Sequence, residues 1–353
     1  MTLVGTAQRA YRKGRLLRQL VHRELEAIRT IDMPLRRRLR LWSWGFVSES
    51  GILYDLTPES RHLYVSDAAY VLRTPYINGI YNPTLNDKVV FYHAMRSVSL
   101  PTPQLYGVVG RRRIAWIDPP HGEPPKDALD LLQRVGAILF KPFDGGRGSN
   151  VSVAFWRDGE IQVNGEARDA AKLARMARPG MMLCELIRPT GYAAEIFPDS
   201  LNTIRVMTMW DYERGKPFVA RMYHRFGTNK SAPVDNVSRG GIMAMVDVQS
   251  GVMSRAIGVH AAELVWHDVH PDTGAAIEGA VVEGHADLVA EIERGAGELP
   301  NVPYIGWDVA VGSEGFRVIE GNSYPDLAVQ VFGPLLDDAR VRRFYAEHGV
   351  VRD

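Results

Sequence analysis

The sequence has a single cysteine, no long apolar run and almost no net charge. One thiol, Cys184, cannot form an intrachain disulfide, which is typical of a reducing compartment. No stretch of about 18 apolar residues is present and the N-terminus has no signal-peptide core, so we expect a soluble, cytoplasmic protein. Lysine and arginine total 42 against 41 acidic residues, and this balance argues against a protein that coats nucleic acid with positive charge.

Repeats and low-complexity tracts are also absent. The chain has 353 residues, of which 46% are hydrophobic and 24% charged. At about 150 residues per domain, this length predicts two or three compact units with sizeable cores. The composition excludes a disordered or fibrous protein.

The basic residues are concentrated near the N-terminus. Between residues 9 and 40 there are eleven basic and three acidic residues, a net charge of +8. Pro34 is a favoured first helical position and predicts a short helix over Leu35–Leu41. Two uses stay open: a solvated helical face packed on the body of the protein, or contact with an anionic membrane surface or an acidic partner. Apolar residues at helical spacing also predict a longer amphipathic helix on the N-terminal side of this short helix. These residues are Leu16, Leu17, Leu20, Val21, Leu25 and Ile28.

The remainder of the chain changes from helical to β-rich. Asp87 is a candidate N-cap for a helix through Phe91 and Met95. From Gln104 to Glu320, short β-rich runs are separated by glycine and proline, with helices near 167–177 and 286–295. Because strands and helices do not alternate, the pattern predicts an α+β fold of antiparallel hairpins rather than a parallel sheet.

A glycine-rich turn follows the apolar strand that ends in Lys141. Backbone N–H groups without a neighbouring Cβ can approach phosphate oxygens, and the lysine adds a positive charge. The turn is not a P-loop, since no Gly-Lys-Ser/Thr opens a helix, and not a dinucleotide fingerprint, since a strand follows it. A plain turn is the alternative to a phosphate-binding loop. The candidate residues are Lys141, Gly145, Gly146, Gly148, Ser149 and Asn150.

A second hairpin, near the C-terminus, carries clustered oxygen donors. A three-residue loop would pair Gly312 with Phe316 and set Asp308 opposite Glu320. Glu320 and Asn322 share a face because strand side chains alternate with period two. Carboxylate and amide oxygens suit Mg²⁺, so we predict a magnesium site of Asp308, Glu320 and Asn322. Since like charges repel there, neutralising either carboxylate should leave stability almost unchanged.

The cationic turn and the separate carboxylate cluster together imply a nucleoside triphosphate held between two lobes. This pattern resembles the ATP-grasp superfamily, and the segments from Ser200 to Val206, Asp235-Asn236 and Gly240-Gly241 are similar to its sugar-transfer-associated subgroup. The resemblance implies two α+β lobes whose antiparallel sheets clamp ATP, preceded by a basic helical region. The implied division is residues 1–85 for the basic helical region and connector, 86–185 for the small lobe, and 186–353 for the large lobe with the metal site.

The resemblance also implies roles for individual residues. Lys88 and Lys141 match the family's two lysines on the α- and β-phosphates. The predicted strand over 182–187 matches the hinge that meets the adenine edge. Glu195 is the expected acceptor for a ribose hydroxyl. The implied ATP-binding residues outside the glycine-rich turn are Lys88, Lys141, Glu185, Leu186, Ile187 and Glu195.

One position departs from the superfamily's peptide ligases. Several of them carry an arginine two residues before the metal aspartate, where this sequence has Gly306. Arg205 is the expected catalytic replacement, together with Lys141, because a guanidinium suits the charge that develops on a transferring phosphate. Expected substrate contacts are Arg221, Arg225 and Asn236; surface ion pairing is the alternative for the two arginines.

The resemblance implies an ATP-dependent carboxylate–amine ligase that uses Mg²⁺ and forms an amide through an acylphosphate. Its substrates would be a small-molecule carboxylate, sugar-linked by the subgroup resemblance, and an amine. A kinase acting on a hydroxyl is the main alternative and would need a general base, for which Asp235 is the candidate. The third alternative is a nucleotide-binding module without catalysis, tethered by its basic helix.

Overall fold

The structure, a computed structural model, describes residues 3–143, 151–260, 263–313 and 315–352. Within them, two seven-stranded antiparallel sheets follow a helical N-terminal region. The predicted α+β class with antiparallel sheets is therefore confirmed. No helix in this part of the chain combines the length and apolarity that crossing a bilayer requires.

The N-terminal region forms a small core of its own. Both helices predicted there are present. Its helices are α1 Leu3–Thr30, α2 Leu35–Ser43, α3 Ser50–Leu53 and α4 Asp67–Arg73. Apolar side chains from α1, α2 and the connecting segments are buried against one another, which fixes how α1 and α2 lie on the protein: Ala27, Ile31, Met33, Leu41, Phe46 and Tyr64.

Helix α5, Pro83–Asn86, leads into α6, Lys88–Ser97. The predicted cap is confirmed, since the Asp87 carboxylate accepts hydrogen bonds from the backbone N–H groups of the second and third helical residues. Helix α6 packs on both sheets. Phe91 and Met95 belong to the core of the second sheet, and Tyr92 packs against strands of the first.

The first sheet has the strand order β2-β1-β7-β3-β4-β5-β6. Leu131, Leu132 and Leu173 cover one face of it from helices α7 and α8. Its elements are β1 Leu105–Val109, β2 Ile114–Trp116, α7 Ala128–Val135, β3 Ala137–Pro142, β4 Ser152–Arg157, β5 Glu160–Val163, β6 Glu166–Arg168, α8 Ala170–Met176 and β7 Met181–Cys184.

The second sheet has the order β12-β11-β10-β9-β8-β13-β14. Trp307 is buried on the face that packs on α6 and α10, and Tyr304 on the face that packs on α4 and α11. Its elements are α9 Gly191–Ile196, β8 Thr203–Asp211, β9 Lys216–Phe226, β10 Ile242–Val246, β11 Met253–His260, β12 Glu263–His267, α10 His285–Gly297, β13 Tyr304–Gly312, β14 Gly315–Asn322 and α11 Ala339–Glu347.

Hydrogen bonds tie the three regions together close to β14. The Val318 N–H donates to the carbonyl of Pro101 at 2.8 Å, and the Thr102 hydroxyl donates to the Val318 carbonyl at 2.9 Å. At the N-terminal side, the Asn78 amide donates to the Tyr304 carbonyl at 2.7 Å. The entry to the first sheet and the N-terminal region are thus both fixed against β13 and β14. The division of the chain at residues 85 and 185 stays a prediction.

The sequence analysis missed several elements, namely α7, α9, α11, β2, β6, β11 and β12. Helix α7 did carry a signal, because Asp127 caps it and Gly136 ends it with a φ of 75°. The helix predicted near 167–177 begins only at Ala170, since residues 166–168 pair with β5 instead.

Candidate active site

A cavity between the two sheets brings together three of the predicted site residues. Lys88 at the start of α6, Lys141 on β3 and Glu320 on β14 all line it. Much of the remaining lining is apolar, including Phe91 and Met182. A largely apolar cavity with a few convergent charged groups is the usual form of a small-molecule site.

The two lysines lie beside the start of the glycine-rich turn. The Lys88 ammonium donates a hydrogen bond to the carbonyl of Phe143 at 3.3 Å. Lys141 lies opposite Met182, so β7 fixes its position. The predicted phosphate-loop residues Gly145, Gly146, Gly148, Ser149 and Asn150 lie outside the described residues.

The hairpin of β13 and β14 places two predicted metal ligands side by side. Asp308 lies directly opposite Glu320, as predicted. The predicted loop was wrong, because Gly312 pairs with Gly315 and not with Phe316. The loop is therefore one residue shorter than expected.

A β-bulge restores the register that the shorter loop would otherwise shift. Asp308 pairs with Glu320 while Val309 pairs with Val318, which leaves Ile319 as an extra residue on β14. Without the bulge, the shorter loop would place Ile319 opposite Asp308, and Glu320 would lie on the opposite face of the sheet from Asp308. The bulge thus brings the two carboxylates together.

Two arginines bind the Asp308 carboxylate. Arg205, its neighbour on β8, donates from Nε to Oδ1 at 2.5 Å, and Arg225 on β9 lies with Nη2 3.1 Å from Oδ2. Both guanidinium groups and the carboxylate are largely buried. Burial alone would raise the pKa of Asp308, but Arg205 and Arg225 outweigh it and hold that pKa below its ordinary value. Asp308 is consequently ionised at neutral pH.

Arg205 also bridges to a second carboxylate. Its Nη1 lies 3.1 Å from Oδ2 of Asp326, which follows β14. The Tyr223 hydroxyl on β9 donates to Asp326 at 3.2 Å, and burial raises the pKa of this tyrosine, with Asp326 adding to the shift. The sequence analysis missed both residues. Tyr223 had one signal, its position between Arg221 and Arg225 at the period of a strand.

The other end of this charge cluster is Asp235. Its Oδ2 accepts hydrogen bonds from the backbone N–H and the hydroxyl of Thr203, both at 2.6 Å, and lies 3.8 Å from Nε of Arg225. Arg225 also donates to the Thr203 hydroxyl. Asp235 therefore anchors the start of β8 and orients the arginine that binds Asp308.

Glu320 has the opposite electrostatic environment to Asp308. Burial raises its pKa, and the neighbouring Asp308 raises it further, while Lys88, Lys141 and Arg205 only partly offset these effects. The described residues therefore compensate the ionised carboxylate only in part. An additional cation at this position would stabilise it.

The oxygen donors here fit Mg²⁺. Asn322 donates its amide N–H to the Gly306 carbonyl at 3.4 Å, which leaves its amide oxygen as an acceptor beside Glu320. Both oxygens of Asp308 already hold arginines, so its role as a direct ligand stays a prediction. Among the described residues, no three His, Cys, Asp or Glu side chains form a metal-binding group. Mg²⁺ commonly takes one or two carboxylates and completes its shell with water and phosphate oxygens.

The predicted hinge strand is shorter than expected. Strand β7 ends at Cys184, so the strand predicted over 182–187 was wrong at its end. The Glu185 N–H donates to the Gln104 carbonyl at 2.9 Å, and its carboxylate accepts from the Gln104 N–H, also at 2.9 Å. The Glu185 carboxylate thus binds the Gln104 N–H, and the backbone pairing between β7 and the segment before β1 ends there. Leu186 and Ile187 lie beyond the strand, and their adenine contacts stay predictions.

Three other predicted residues have different surroundings from Asp308. Glu195 is exposed on α9. Arg221 donates to the Pro334 carbonyl at 3.3 Å, and burial lowers its pKa. Asn236 accepts a hydrogen bond from the Ser238 N–H at 3.0 Å and so closes its own turn. Of the predicted substrate contacts, only Arg225 joins the charge cluster around Asp308.

Comparison with known proteins gives a family match over most of the chain. Residues 71–337 match the sugar-transfer associated ATP-grasp family. A search of curated proteins found no match for this chain.

Several solved structures are similar in fold. An ADP complex of N5-carboxyaminoimidazole ribonucleotide synthetase is 11% identical, with 69% of this chain and 46% of that chain covered and a TM-score of 0.39. The ATP-grasp ligase PsnB with its minimal precursor is 14% identical, with 76% and 64% covered and a TM-score of 0.41. Biotin carboxylase from Campylobacter jejuni is 11% identical, with 75% and 46% covered and a TM-score of 0.42. The chain spans about half the length of the synthetase.

Proposed function

The chain belongs to the sugar-transfer associated ATP-grasp family, and from this premise we propose that it is an ATP-dependent carboxylate–amine ligase. The reaction joins a small-molecule carboxylate, which we propose is sugar-linked, to an amine through an acylphosphate. The observation that carries the proposal is the cavity where Lys88, Lys141 and Glu320 meet between the two sheets. This cavity brings two lysines that suit a triphosphate beside the buried carboxylate of Glu320.

In this proposal the two lysines bind the α- and β-phosphates of ATP. Lys88 and Lys141 both lower the pKa of Glu320, which means that their charges act on the same small space. One lysine begins α6 and the other ends β3, so the nucleotide contacts two elements that pack on different strands. The glycine-rich turn, residues 144–150, would add backbone donors.

Glu320 and Asn322 are the residues that would hold Mg²⁺. When bound, the ion supplies positive charge to the β- and γ-phosphates and so favours departure of the γ-phosphoryl group. Asp308 contributes a second negative charge directly opposite Glu320. Because its two arginines keep it ionised, this charge persists at neutral pH.

The first chemical step transfers phosphate to the substrate carboxylate. A carboxylate oxygen attacks the γ-phosphorus, the bond from that phosphorus to the bridging oxygen breaks, and ADP leaves with the electron pair. Arg205 donates from Nε to Asp308 and from Nη1 to Asp326, and its Nη2 makes no hydrogen bond within the described part of the chain. We assign that nitrogen to the transferring phosphate, whose charge a fixed guanidinium stabilises.

In the second step the amine nitrogen attacks the acyl carbon, phosphate leaves with the bonding electrons, and the amine loses a proton. No side chain has to act as a covalent nucleophile. The protein contributes chiefly by positioning the reactants and by electrostatic stabilisation.

The kinase alternative is less well supported. It requires a general base close to an acceptor hydroxyl, and Asp235 was the candidate. Its Oδ2 already accepts two hydrogen bonds from Thr203 and lies 3.8 Å from Nε of Arg225, so this oxygen is engaged within the protein. This arrangement favours an anchoring role for Asp235.

The test is an incubation of the full chain with ATP, Mg²⁺, hydroxylamine and a pool of uronic acids, amino acids and sugars, read by mass spectrometry. A hydroxamate formed with an equal amount of ADP would support the ligase, and its mass would identify the carboxylate. A persistent phosphorylated sugar without hydroxamate would contradict it in favour of the kinase. Glu320→Gln should abolish the product, whereas Lys216→Ala, an exposed lysine on β9, should leave it unchanged.

A further inference from the structure

Helix α1 is held to the protein by only one of its faces. Leu16 and Ala27 are buried on that inner face, and Ile31, directly after the helix, is buried as well. The Glu24 carboxylate accepts hydrogen bonds from the Ser48 N–H at 2.7 Å and the Ser48 hydroxyl at 2.6 Å. These contacts fix the rotation of α1 about its own axis, so what its other faces present to solvent is determined by the fold.

The outer faces of α1 and α2 carry apolar side chains in solvent. On α1 the exposed fractions lie between 46% and 52%, and on α2 between 40% and 66%. Spacings of three and four residues place each set in one stripe along its helix. We call these residues the outer stripe: Leu17, Val21, Leu25 and Ile28 on α1, and Leu35, Leu39 and Trp42 on α2.

Exposed arginines accompany the outer stripe. The buried pair of this region is matched internally, since Arg38 lies 3.5 Å from Glu24, and the half-exposed Arg23 pairs with Glu49 at 2.9 Å. The exposed charges are not matched: six arginines stand against Glu26 and Asp32, and no ion pair of these arginines is found in the described part of the chain. The six are Arg15, Arg18, Arg29, Arg36, Arg37 and Arg40.

This surface lies outside the residues that match the family, which begin at residue 71. It is therefore separate from the cavity and from the cluster around Asp308. An apolar stripe flanked by unmatched arginines is complementary to a surface that offers both negative charge and an apolar interior. Two copies of the same stripe would bring like charges together, which opposes self-association.

We propose that α1 and α2 bind an anionic phospholipid surface and lie in its plane. The outer stripe enters the boundary between headgroups and acyl chains, and the arginines contact lipid phosphates. The attraction between these arginines and the anionic surface falls with added salt, because salt screens the surface potential. The binding is peripheral.

The test is co-sedimentation of the full chain with vesicles of phosphatidylcholine alone or mixed with phosphatidylglycerol. We expect binding only to the mixed vesicles, and weaker binding at high salt. Replacing Leu17, Val21 and Leu25 together by glutamine should weaken it roughly tenfold or more. The matched control, Val269→Gln with Val281→Gln, changes two valines of similar exposure in the second lobe and should have no effect.

A variant that removes positive charge tests the proposal independently of the apolar substitutions. Replacing Arg15, Arg18 and Arg29 by glutamine should weaken binding to the mixed vesicles roughly hundredfold. The same change at the exposed residues Arg111, Arg112 and Arg113, which follow β1, should leave it unaltered. Absence of binding to mixed vesicles, or equal binding by the variants and their controls, would overturn the proposal. A dimer in solution that the outer-stripe variant dissociates would also overturn it and assign the face to a second copy.

Discussion

The cations on the two sides of Glu320 differ in how the protein holds them. On the side of the second sheet, Arg205 and Arg225 are largely buried and bind the carboxylate of Asp308. On the side of the first sheet, Lys88 and Lys141 line a cavity. The two arginines bind a carboxylate of the fold itself, whereas the two lysines line a space between the sheets. We therefore expect the carboxylate partners of the arginines to respond to substitution through stability and the lysine side through ligand binding.

Asp308→Asn gives the largest expected effect on the arginine side. It removes the charge that compensates two buried guanidinium groups, and breaking such a pair costs about 3 kcal/mol. The sequence analysis expected a nearly unchanged stability, and the ion pairs correct that expectation for this residue. Chemical denaturation at pH 7 measures the loss. Glu320→Gln is the matched control, and equal midpoints for the two variants would contradict the comparison.

Lys141→Ala should act on the lysine side alone. We expect ATP affinity to fall roughly thirtyfold, or about 2 kcal/mol, because one phosphate contact is lost. The melting temperature should stay within a few degrees, as the lysine lines a cavity and not a core. Calorimetric titration with ATP measures the affinity. If Lys216→Ala, on the exposed end of β9, weakens binding as much, the cavity is not the nucleotide site.

Asp326→Asn removes the charge of the more exposed carboxylate that Arg205 contacts. Its side chain is 48% exposed, so solvent screens its attraction to Arg205 and we expect a loss of only about 1 kcal/mol of stability. The control is Asp268→Asn, which removes a more exposed partner of Arg255. That change should have no measurable effect in the same denaturation experiment. A larger loss for Asp268→Asn would mean that burial does not decide the strength of these pairs.

The smallest predicted effect is a pH dependence at Glu320. Its pKa is raised in the folded chain, so the folded state binds a proton at higher pH than the unfolded state and the ionised form destabilises the fold. Glu320→Gln should therefore be slightly more stable than the wild type at pH 7.

Lowering the pH toward about 4.3, the ordinary pKa of a glutamate, should reduce this difference, because the wild type then protonates Glu320. Denaturation midpoints across that pH range measure it, with the exposed Glu278→Gln as control. A wild type that is more stable than Glu320→Gln at pH 7 would contradict the assignment.

Much of the site was predictable because it depends on local patterns. The cap at Asp87 places Lys88, and the alternation of strand side chains places Glu320 and Asn322 on one face. The pairing of Asp308 with Glu320 was predicted correctly from an incorrect loop. A two-residue loop followed by a bulge pairs Asp308 with Glu320, and so does a three-residue loop without a bulge. Turn rules alone do not distinguish these two arrangements.

The contacts between Asp308 and the arginines were not predictable, because they join residues far apart in the chain. Arg205, Arg225 and Asp308 meet only when β8, β9 and β13 pair side by side. Asp326 lies in an irregular segment after β14, where sequence periodicity carries no information. The exposure of the outer stripe was equally hidden, since an amphipathic pattern does not reveal which part of an apolar face the fold covers.

The most direct measurement for the site is the Mg²⁺ dependence of ATP binding, by calorimetry with the wild type and with Glu320→Gln. The proposed site predicts that Mg²⁺ strengthens ATP binding by the wild type. Glu320→Gln should lose that gain while binding ATP in the presence of chelator at least as tightly as the wild type, because Lys88 and Lys141 remain in place. An equal gain from Mg²⁺ in both proteins would contradict a metal site at Glu320.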